Sequence, residues 1–153
     1  MTKPDIALAP AGISDLEQVV DLFARSRAAG LPFLPMLHSR DEDRAFLAQS
    51  VASGEMTIAW RDGRMAGFMV CTPGWIEQLY LDPDLRGQGI GRRLVDWAKT
   101  EADALQLWCF AENSAARAFY AAQGFAEIGG SAGDNEERLP DILLRWRRQP
   151  DIA

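Results

Sequence analysis

The stretch LYLDPDLRGQGIGR (residues 79–92) contains the most informative pattern in the chain. A strand-like apolar run ends in an Asp-Pro pair, and glycines then occupy every second position at Gly87, Gly89 and Gly91. Apolar residues follow at helical spacing. Glycine lacks a Cβ, so this density permits left-handed backbone and lets a ligand approach the main chain. The stretch predicts a strand, a turn and a helix whose N-terminus binds an anion such as a pyrophosphate.

Three kinds of phosphate-binding loop compete for this pattern. A Walker loop requires Lys followed by Ser or Thr after its last glycine, and neither pair follows Gly91. A dinucleotide-binding loop requires glycine or alanine where Arg92 stands, although Glu112 ends the next strand, where a ribose-binding acid belongs. Residues 82–86 also separate the strand from the first glycine, and a second βαβ half is missing. A nucleotide-binding oxidoreductase is therefore disfavoured, and the helix N-terminus interpretation is kept.

Upstream of the glycines the patterns predict a strand, two helices and a meander. Residues 6–9 form an apolar run, and two capping-box patterns, Ser14 to Glu17 and Ser39 to Glu42, each open a helix on either side of a proline-containing loop. Apolar runs at 56–60 and 65–71 flank an Asp-Gly pair, which is a strong hairpin signal, and a third run follows at 75–81.

Downstream of the glycines the patterns predict a helix, a buried strand at 105–110, another helix and two closing strands. Asn113 is a good N-cap and Gly124 a good C-terminal stop for that second helix. The closing strands, 125–128 and 142–146, enclose a glycine-rich acidic loop at 129–140. The order β α α β β β α β α β β predicts an α/β (α+β mixed sheet) single domain over residues 1–153, with a core over about 5–147.

Composition narrows the range of functions. The 153 residues carry a net charge of −6 and no long basic run, so no nucleic-acid partner is expected. No signal segment and no apolar run of about 20 residues are present, which predicts a cytoplasmic protein without a membrane partner. Cys71 and Cys109 fit reduced core thiols. One histidine and no Cys-x-x-Cys motif predict that no metal is bound.

Two motifs resemble those of the GNAT N-acetyltransferase superfamily. RGQGIG (residues 86–91) resembles its Arg/Gln-x-x-Gly-x-Gly signature, and NSAARAFY (residues 113–120), followed by Gly124-Phe125, looks like its second signature helix. The predicted element order is also that of the superfamily, so the resemblance covers nearly the whole chain. It implies the acyl-CoA N-acyltransferase (GNAT) fold and acetyl-CoA as cosubstrate. The residues implied in cofactor binding are Leu79, Tyr80, Leu81, Arg86, Gly87, Gln88, Gly89, Ile90, Gly91, Arg92, Asn113, Phe119 and Tyr120.

Acetyl transfer to an amine requires a base, an acid and a polarised carbonyl, because alkyl amines are protonated and thiolates leave poorly at neutral pH. The resemblance implies that Tyr120 protonates the coenzyme A sulfur. Glu77, in an otherwise apolar strand, is the candidate base with an expected raised pKa from partial desolvation, and Glu112 is the reserve. A backbone N–H of Leu79 or Leu81 would polarise the carbonyl, since relatives bulge this strand.

The expected function is therefore direct acetyl transfer, within a ternary complex, to a small-molecule or peptide primary amine. His38, Trp75 and Phe33 are candidates for the wall of the acceptor pocket, as is Met36, with core packing as the alternative role of Trp75, Phe33 and Met36. The sequence leaves open the acceptor, the acyl length and which carboxylate is the base. Homodimers are frequent among members of the superfamily, so self-association is compatible with the resemblance. The alternative function is a catalytically idle acyl-CoA-binding or sensing module of the same fold.

Overall fold

One mixed seven-stranded sheet with helices packed on it makes up the computed structural model, which describes residues 5–150. The strands are β1 Ile6–Pro10, β2 Met56–Arg61, β3 Arg64–Thr72, β4 Trp75–Leu81, β5 Ala104–Phe110, β6 Ala126–Ser131 and β7 Asp141–Arg147. The helices are α1 Leu16–Gly30, α2 Arg40–Ala52, α3 Ile90–Thr100 and α4 Ser114–Ala122. Two short 3-10 turns, Ile13–Asp15 and Pro83–Leu85, precede α1 and the glycine loop.

The sheet has the order β1-β2-β3-β4-β5-β7-β6. Its neighbouring strands are antiparallel except β4 and β5, which run parallel because α3 connects them as a crossover. The predicted element order and the predicted mixed α/β class are confirmed. The position of β7 between β5 and β6 could not be obtained from the order of elements along the chain.

The core is divided between the two faces of the sheet. Met69 packs in one apolar cluster with residues of α3 and α4, whereas its neighbours Phe68 and Val70 pack in a second cluster with residues of α1 and α2. Successive side chains of a strand point to opposite faces, so the two clusters lie on opposite sides of the sheet. Each side of the sheet is thus anchored independently.

The β2–β3 hairpin and the start of α2 form as the sequence predicts. Asp62 and Gly63 both have positive φ, 51° and 81°, as a two-residue type I′ turn requires. At α2, the Glu42 N–H donates to Ser39 Oγ and the Ser39 N–H donates to Glu42 Oε1, each at 3.2 Å. This reciprocal pair is the predicted capping box.

The start of α1 differs from the prediction. The capping box expected from Ser14 to Glu17 does not form, because the chain first tightens into the Ile13–Asp15 turn and α1 begins only at Leu16. The carboxylate that reaches back is that of Asp15, whose Oδ2 accepts the Gly12 N–H at 2.8 Å. Ser14 and Glu17 have the right spacing, but the 3-10 turn moves the helix boundary by one position.

The helix of the second signature segment, α4, begins and ends as predicted. Asn113 Oδ1 accepts the Ala116 N–H at 3.1 Å and caps α4. The helix ends just before Gly124, whose φ is 90°.

Within residues 5–150, no helix combines the length and the apolar character needed to cross a bilayer.

The sheet opens between β4 and β5. Across the described residues, Trp75 with Gln106 is the one registered pair that joins these strands, and beyond it β4 diverges from β5 as far as Leu81. β4 is also bulged on its other side, since Val70 pairs with Gln78 and Cys71 with Ile76, which leaves Glu77 without a partner in the register. The gap between the strands positions the site described next.

Candidate active site

A cavity of about 430 Å³ occupies the gap between β4 and β5. It is lined by both strands, the C-terminal end of α1, the start of the glycine loop and one side of α4. The residues predicted for the cofactor or for catalysis that line it are Glu77, Leu79, Tyr80, Leu81, Arg86, Gly87, Asn113, Phe119 and Tyr120. Tertiary structure thus brings together residues from the two separate signature segments.

The β4 wall directs backbone N–H groups into this gap. The Asp82 N–H donates to Ala66 O on β3 at 2.8 Å. Because N–H groups alternate in direction along a strand, those of Tyr80 and Gln78 share the β3 side and those of Leu79 and Leu81 point away from β3. On that side β5 has already diverged, so these two amides face the cavity.

Two of the three glycines shape the turn before α3. Gly87 and Gly89 have φ of 76° and 83°, and a Cβ placed on either would meet no atom within 4 Å. Their role is therefore conformational. Gly89 is the N-cap of α3 and supplies no side-chain hydrogen bond, so the first N–H groups of the helix are open to a ligand.

Gly91 has a packing role. It is buried rather than exposed on the loop, and it does not line the cavity. A Cβ on Gly91 would lie 3.1 Å from Phe119 Cζ and 3.3 Å from Leu81 Cδ1. The last glycine of the motif therefore lets α3 pack closely against α4 and β4.

The remaining loop residues also lie outside the cavity lining. Gln88 is exposed, Ile90 is buried in the core, and the exposed Arg92 lies 3.7 Å from Asp96 one turn along α3. Their backbone N–H groups belong to the turn and to the first turn of α3, so main-chain atoms are what they offer a ligand.

Tyr120 lies in the wall of the cavity, with its ring in edge contact with Phe119 and Phe125 at centroid distances of 5.0 and 5.4 Å. It is 8% exposed. Burial raises the pKa of the Tyr120 phenol far above its usual value, and the neighbouring Cys109 thiol adds to the rise. No hydrogen bond from residues 5–150 contributes to that shift.

Tyr80 lines the cavity, and residues of α1 hold its hydroxyl and its ring. Its hydroxyl accepts a hydrogen bond from Arg27 Nη1 at 3.3 Å, and its ring meets Phe23 edge-on at 4.9 Å. Burial raises the pKa of the Tyr80 phenol, and the Arg27 charge partly opposes this. These contacts anchor the bulged strand to α1.

Glu77 lies at the bulge of β4 and its side chain is exposed. The expectation that it would be partly desolvated is wrong, because the bulge turns this side chain to the mouth of the cavity instead of into the sheet. Glu77 Oε1 accepts a hydrogen bond from Thr72 Oγ1 at 2.8 Å. The reserve carboxylate, Glu112, is exposed and does not line the cavity.

A second cavity of about 570 Å³ adjoins the first along β5. Among the residues that the structure describes, its lining carries three carboxylates, Asp134, Glu137 and Asp141, and no lysine or arginine. Asp141 is held in place by Ser131, whose hydroxyl donates to Oδ1 at 2.5 Å, and by Asn135, whose amide donates to Oδ2 at 3.0 Å. The chamber is therefore acidic, with a fixed carboxylate in its wall.

Both cavities are lined by Trp108, Cys109 and Phe110, none of which was predicted as a site residue. Their position was the available signal, since they end the parallel strand after a crossover, where ligands bind in α/β sheets. Trp108 is 51% exposed, whereas Cys109 is buried. Burial raises the pKa of the Cys109 thiol to about 11, and neither cysteine forms a disulfide.

The predicted acceptor residues lie around the cavities and not in their linings. Phe33 meets Phe110 edge-on at 6.1 Å, and Trp75 stands at the closed end of the gap. Met36 is 96% exposed. His38 joins two loops, with Nδ1 3.2 Å from Glu42 Oε2 and Nε2 2.6 Å from Glu136 Oε1.

Comparison with known protein families and sequences gives a consistent result. A model of the acetyltransferase (GNAT) family matches residues 16–125. The peptidyl-lysine N-acetyltransferase YjaB of Salmonella typhimurium is 32% identical over 120 residues, which are 78% of this chain and 82% of that protein. The peptidyl-lysine N-acetyltransferase YiaC of Escherichia coli is 27% identical over 134 residues, 87% of this chain and 91% of that protein.

Solved structures share the fold over most of the chain. The apo form of YjaB from Escherichia coli, determined in solution, superposes with a TM-score of 0.80 at 26% identity and covers 95% of this chain and 99% of its own. A PaiA N-acetyltransferase from Thermoplasma acidophilum in complex with coenzyme A gives a TM-score of 0.75 at 17% identity, covering 94% and 99%.

Proposed function

Since the chain belongs to the acetyltransferase (GNAT) family and is an N-acetyltransferase, we propose that it transfers an acetyl group from acetyl-CoA to a primary amine within a ternary complex. In this proposal residues 1–153 act as one domain with its core over residues 5–147. The observation that carries the proposal is the cavity between β4 and β5, which runs from the start of the glycine loop at Arg86 and Gly87 to Tyr120.

The donor would bind along this cavity. The N–H groups of the turn and of the first turn of α3 suit a pyrophosphate, because their dipoles and the positive helix end favour negative charge. The pantetheine arm would then follow the gap left by β5. Leu79 and Leu81 offer N–H groups on that side, one of which would donate to the thioester oxygen and stabilise the charge that develops there.

Tyr120 is the proposed general acid. Its raised pKa keeps the phenol protonated throughout the neutral and moderately alkaline range, so a proton is always available. In the transfer step the amine nitrogen forms a bond to the acetyl carbon, the carbon–sulfur bond breaks, and the departing thiolate takes the Tyr120 proton. Asn113, which caps α4, holds the helix that carries this tyrosine.

Glu77 is the proposed base. Its place at the mouth of the cavity is one where an ammonium group arriving from solvent loses its proton, directly or through a water molecule. The hydrogen bond from Thr72 orients one carboxylate oxygen and leaves the other available. Glu112 has less support, since it does not line the cavity.

Direct transfer is favoured over an acetylated-cysteine intermediate. Cys109 is the thiol that lines the cavity. With its pKa raised to about 11 by burial, only about one molecule in 10⁴ would carry the thiolate at pH 7, and the thiolate is the nucleophilic form. Tyr120 also suits the protonation of the coenzyme A sulfur better than Cys109 does.

The proposed acceptor is the side-chain amine of lysine in a peptide. Two relatives are named peptidyl-lysine N-acetyltransferases. The acidic second cavity supports this acceptor class, because Asp134, Glu137 and Asp141 would attract an ammonium group to the side of β5 next to the thioester. A peptide could lie over the exposed Trp108, which lines both cavities.

The test is a calorimetric titration with acetyl-CoA, with NADH as the control ligand, followed by an assay of thiol release with lysine-containing peptides. We expect saturable binding of acetyl-CoA but not of NADH. Thiol release should require a peptide with an unblocked lysine. Binding without release for any peptide or small amine would favour the idle acyl-CoA-binding module. NADH binding without acetyl-CoA binding would instead revive a nucleotide-binding oxidoreductase.

The role of Glu77 is tested separately with Glu77→Gln, which keeps the shape and the hydrogen bond from Thr72. If Glu77 is the base, its replacement should shift the acidic limb of the pH profile of turnover. Glu112→Gln is the matched control, and an identical effect of the two substitutions would contradict the assignment.

A further inference from the structure

Gly30, the last residue of α1, lies directly beneath the guanidinium group of Arg86. A Cβ placed on Gly30 would be 2.6 Å from Arg86 Nη2, 3.5 Å from Cζ and 3.6 Å from Nη1. The first distance is shorter than any ordinary contact of a Cβ atom. The guanidinium thus occupies the space that a side chain at position 30 would fill.

A glycine at this position has no local explanation. Gly30 is still helical, and it is not among the residues with positive φ, so left-handed backbone does not require it. Glycine is also a poor helix former compared with alanine. The three atoms nearest to a Cβ placed on Gly30 all belong to Arg86.

Arg86 carries a charge that no carboxylate among residues 5–150 neutralises. No ion pair within residues 5–150 includes it, whereas Arg25 and Arg64 are both paired with Asp82. The guanidinium lies at the C-terminal end of α1, where the helix carbonyls favour a cation. Both Arg86 and Gly30 line the cavity between β4 and β5.

We propose that Gly30 is a positioning residue: its missing side chain leaves room for the Arg86 guanidinium at the cavity edge, where this group binds the phosphate groups of the acyl-CoA donor. The inference rests on the proposed function and adds to it a residue of α1, outside both signature segments. Guanidinium–phosphate hydrogen bonds depend on geometry, so a displaced Arg86 would bind less well even though its charge is kept.

The experiment is a double-mutant cycle measured as the dissociation constant for acetyl-CoA, with the variants Gly30→Ala, Arg86→Ala and the double variant. We expect Gly30→Ala to weaken binding by about fivefold or more, since charge-assisted contacts are the stronger ones in such sites. In the Arg86→Ala background, Gly30→Ala should have no further effect, because its target is gone. The melting temperature of Gly30→Ala should equal or exceed that of the wild type, since alanine favours the helix.

Gly12→Ala is the matched control, because Gly12 precedes the other end of α1 and a Cβ there meets no atom closer than 3.6 Å. Pantetheine, which lacks phosphate groups, is the control ligand, and Gly30→Ala should leave its binding unchanged. Unchanged acetyl-CoA binding by Gly30→Ala, or additive effects in the cycle, would overturn the inference while leaving acetyl-CoA binding by the wild type intact. Failure of the wild type to bind acetyl-CoA would instead overturn the proposed function.

If Gly30→Ala unfolds, the double variant decides the question. It should then be folded, since removal of the Arg86 side chain removes the clash. A double variant that also unfolds would show that Gly30 is required by something other than Arg86, which overturns the inference.

Discussion

Gly91 in α3 lies against the ring of Phe119 in α4, so closely that a Cβ on Gly91 would come within 3.1 Å of Phe119 Cζ. This contact joins the two signature segments, because one residue belongs to the glycine loop and the other to the helix that carries Tyr120. It gives the third glycine of the loop a packing role, in contrast to Gly87 and Gly89, whose surroundings are open.

The substitution Gly91→Ala should destabilise the protein. An extra methyl group forced against Phe119 and Leu81 costs about 1–3 kcal/mol, which outweighs the gain in helix propensity. Chemical denaturation measures the free energy of unfolding. The double variant Gly91→Ala/Phe119→Leu should recover part of the loss, because leucine leaves room for the methyl group. Full wild-type stability of the single variant would show that α3 and α4 adjust without cost.

Tyr120→Phe should lower turnover and leave the affinity for acetyl-CoA almost unchanged. General acid catalysis contributes roughly 10²–10⁴-fold, so we expect a loss of at least about 100-fold. Steady-state kinetics with a lysine peptide, together with calorimetry, separate the two effects. The raised pKa of Tyr120 also predicts that the wild type keeps its activity well into the alkaline range. Unchanged turnover would remove Tyr120 from the mechanism.

Cys109→Ala tests direct transfer. If no acetylated cysteine forms, the variant should keep turnover within about threefold of the wild type, apart from small changes in the cavity shape. Removal of a buried sulfur should lower the free energy of unfolding by about 1 kcal/mol. Mass spectrometry of the wild type incubated with acetyl-CoA alone is the control. A stable acetyl group on Cys109 together with lost turnover in the variant would contradict direct transfer.

Asp82→Asn should make the free energy of unfolding less dependent on pH in the acidic range. Burial alone would raise the pKa of Asp82, but the Asp84 N–H and the guanidinium groups of Arg25 and Arg64 outweigh it and hold the pKa below its usual value. A lowered pKa contributes stability above the unfolded-state value of about 4, which is lost as pH falls through the folded-state value.

At pH 7 the Asp82→Asn variant should therefore be less stable by about 2 kcal/mol, the scale of a charged hydrogen bond. The difference should narrow below pH 4, as measured by denaturation across pH. Asp84→Asn is the control, because that side chain is 71% exposed and should matter little. A constant difference at every pH would show that the charge of Asp82 is not what stabilises the fold.

His38 should stabilise the protein more at low pH than at high pH. Its hydrogen bond to Glu42 is the main cause of a raised pKa, and the charge of Glu136 adds to it. A raised pKa gives a contribution that is complete below the unfolded-state value of about 6.5 and is lost as pH rises through the folded-state value. The melting temperature of the wild type should exceed that of His38→Gln at pH 5.5 and match it at pH 9.

An NMR titration of His38 provides the matching control. Glu42→Gln and Glu136→Gln should each lower the pKa of His38, because both carboxylates raise it. If the melting temperatures of the wild type and His38→Gln differ equally at both pH values, the contacts between the two loops do not depend on the histidine charge.

The sequence by itself determined the order of elements, the hairpin at Asp62-Gly63, the caps at Ser39 and Asn113, and the glycine loop before α3. Each of these depends on local physics, namely the periodicity of apolar residues, the backbone angles that glycine permits and hydrogen bonds between residues a few positions apart. The same information supported the family resemblance, since the two signature segments are local patterns.

The tertiary structure alone decided where β7 lies, how β4 and β5 diverge, that Glu77 is exposed, and that Trp108, Cys109 and Phe110 line two cavities. The contacts between Gly91 and Phe119 and between Gly30 and Arg86 belong to the same class. They arise between residues distant along the chain, and they are fixed by how whole elements pack rather than by any short segment. Local patterns therefore predicted the two signature segments of the candidate site, and the packing of the sheet determined how these segments meet and which further residues line the cavities.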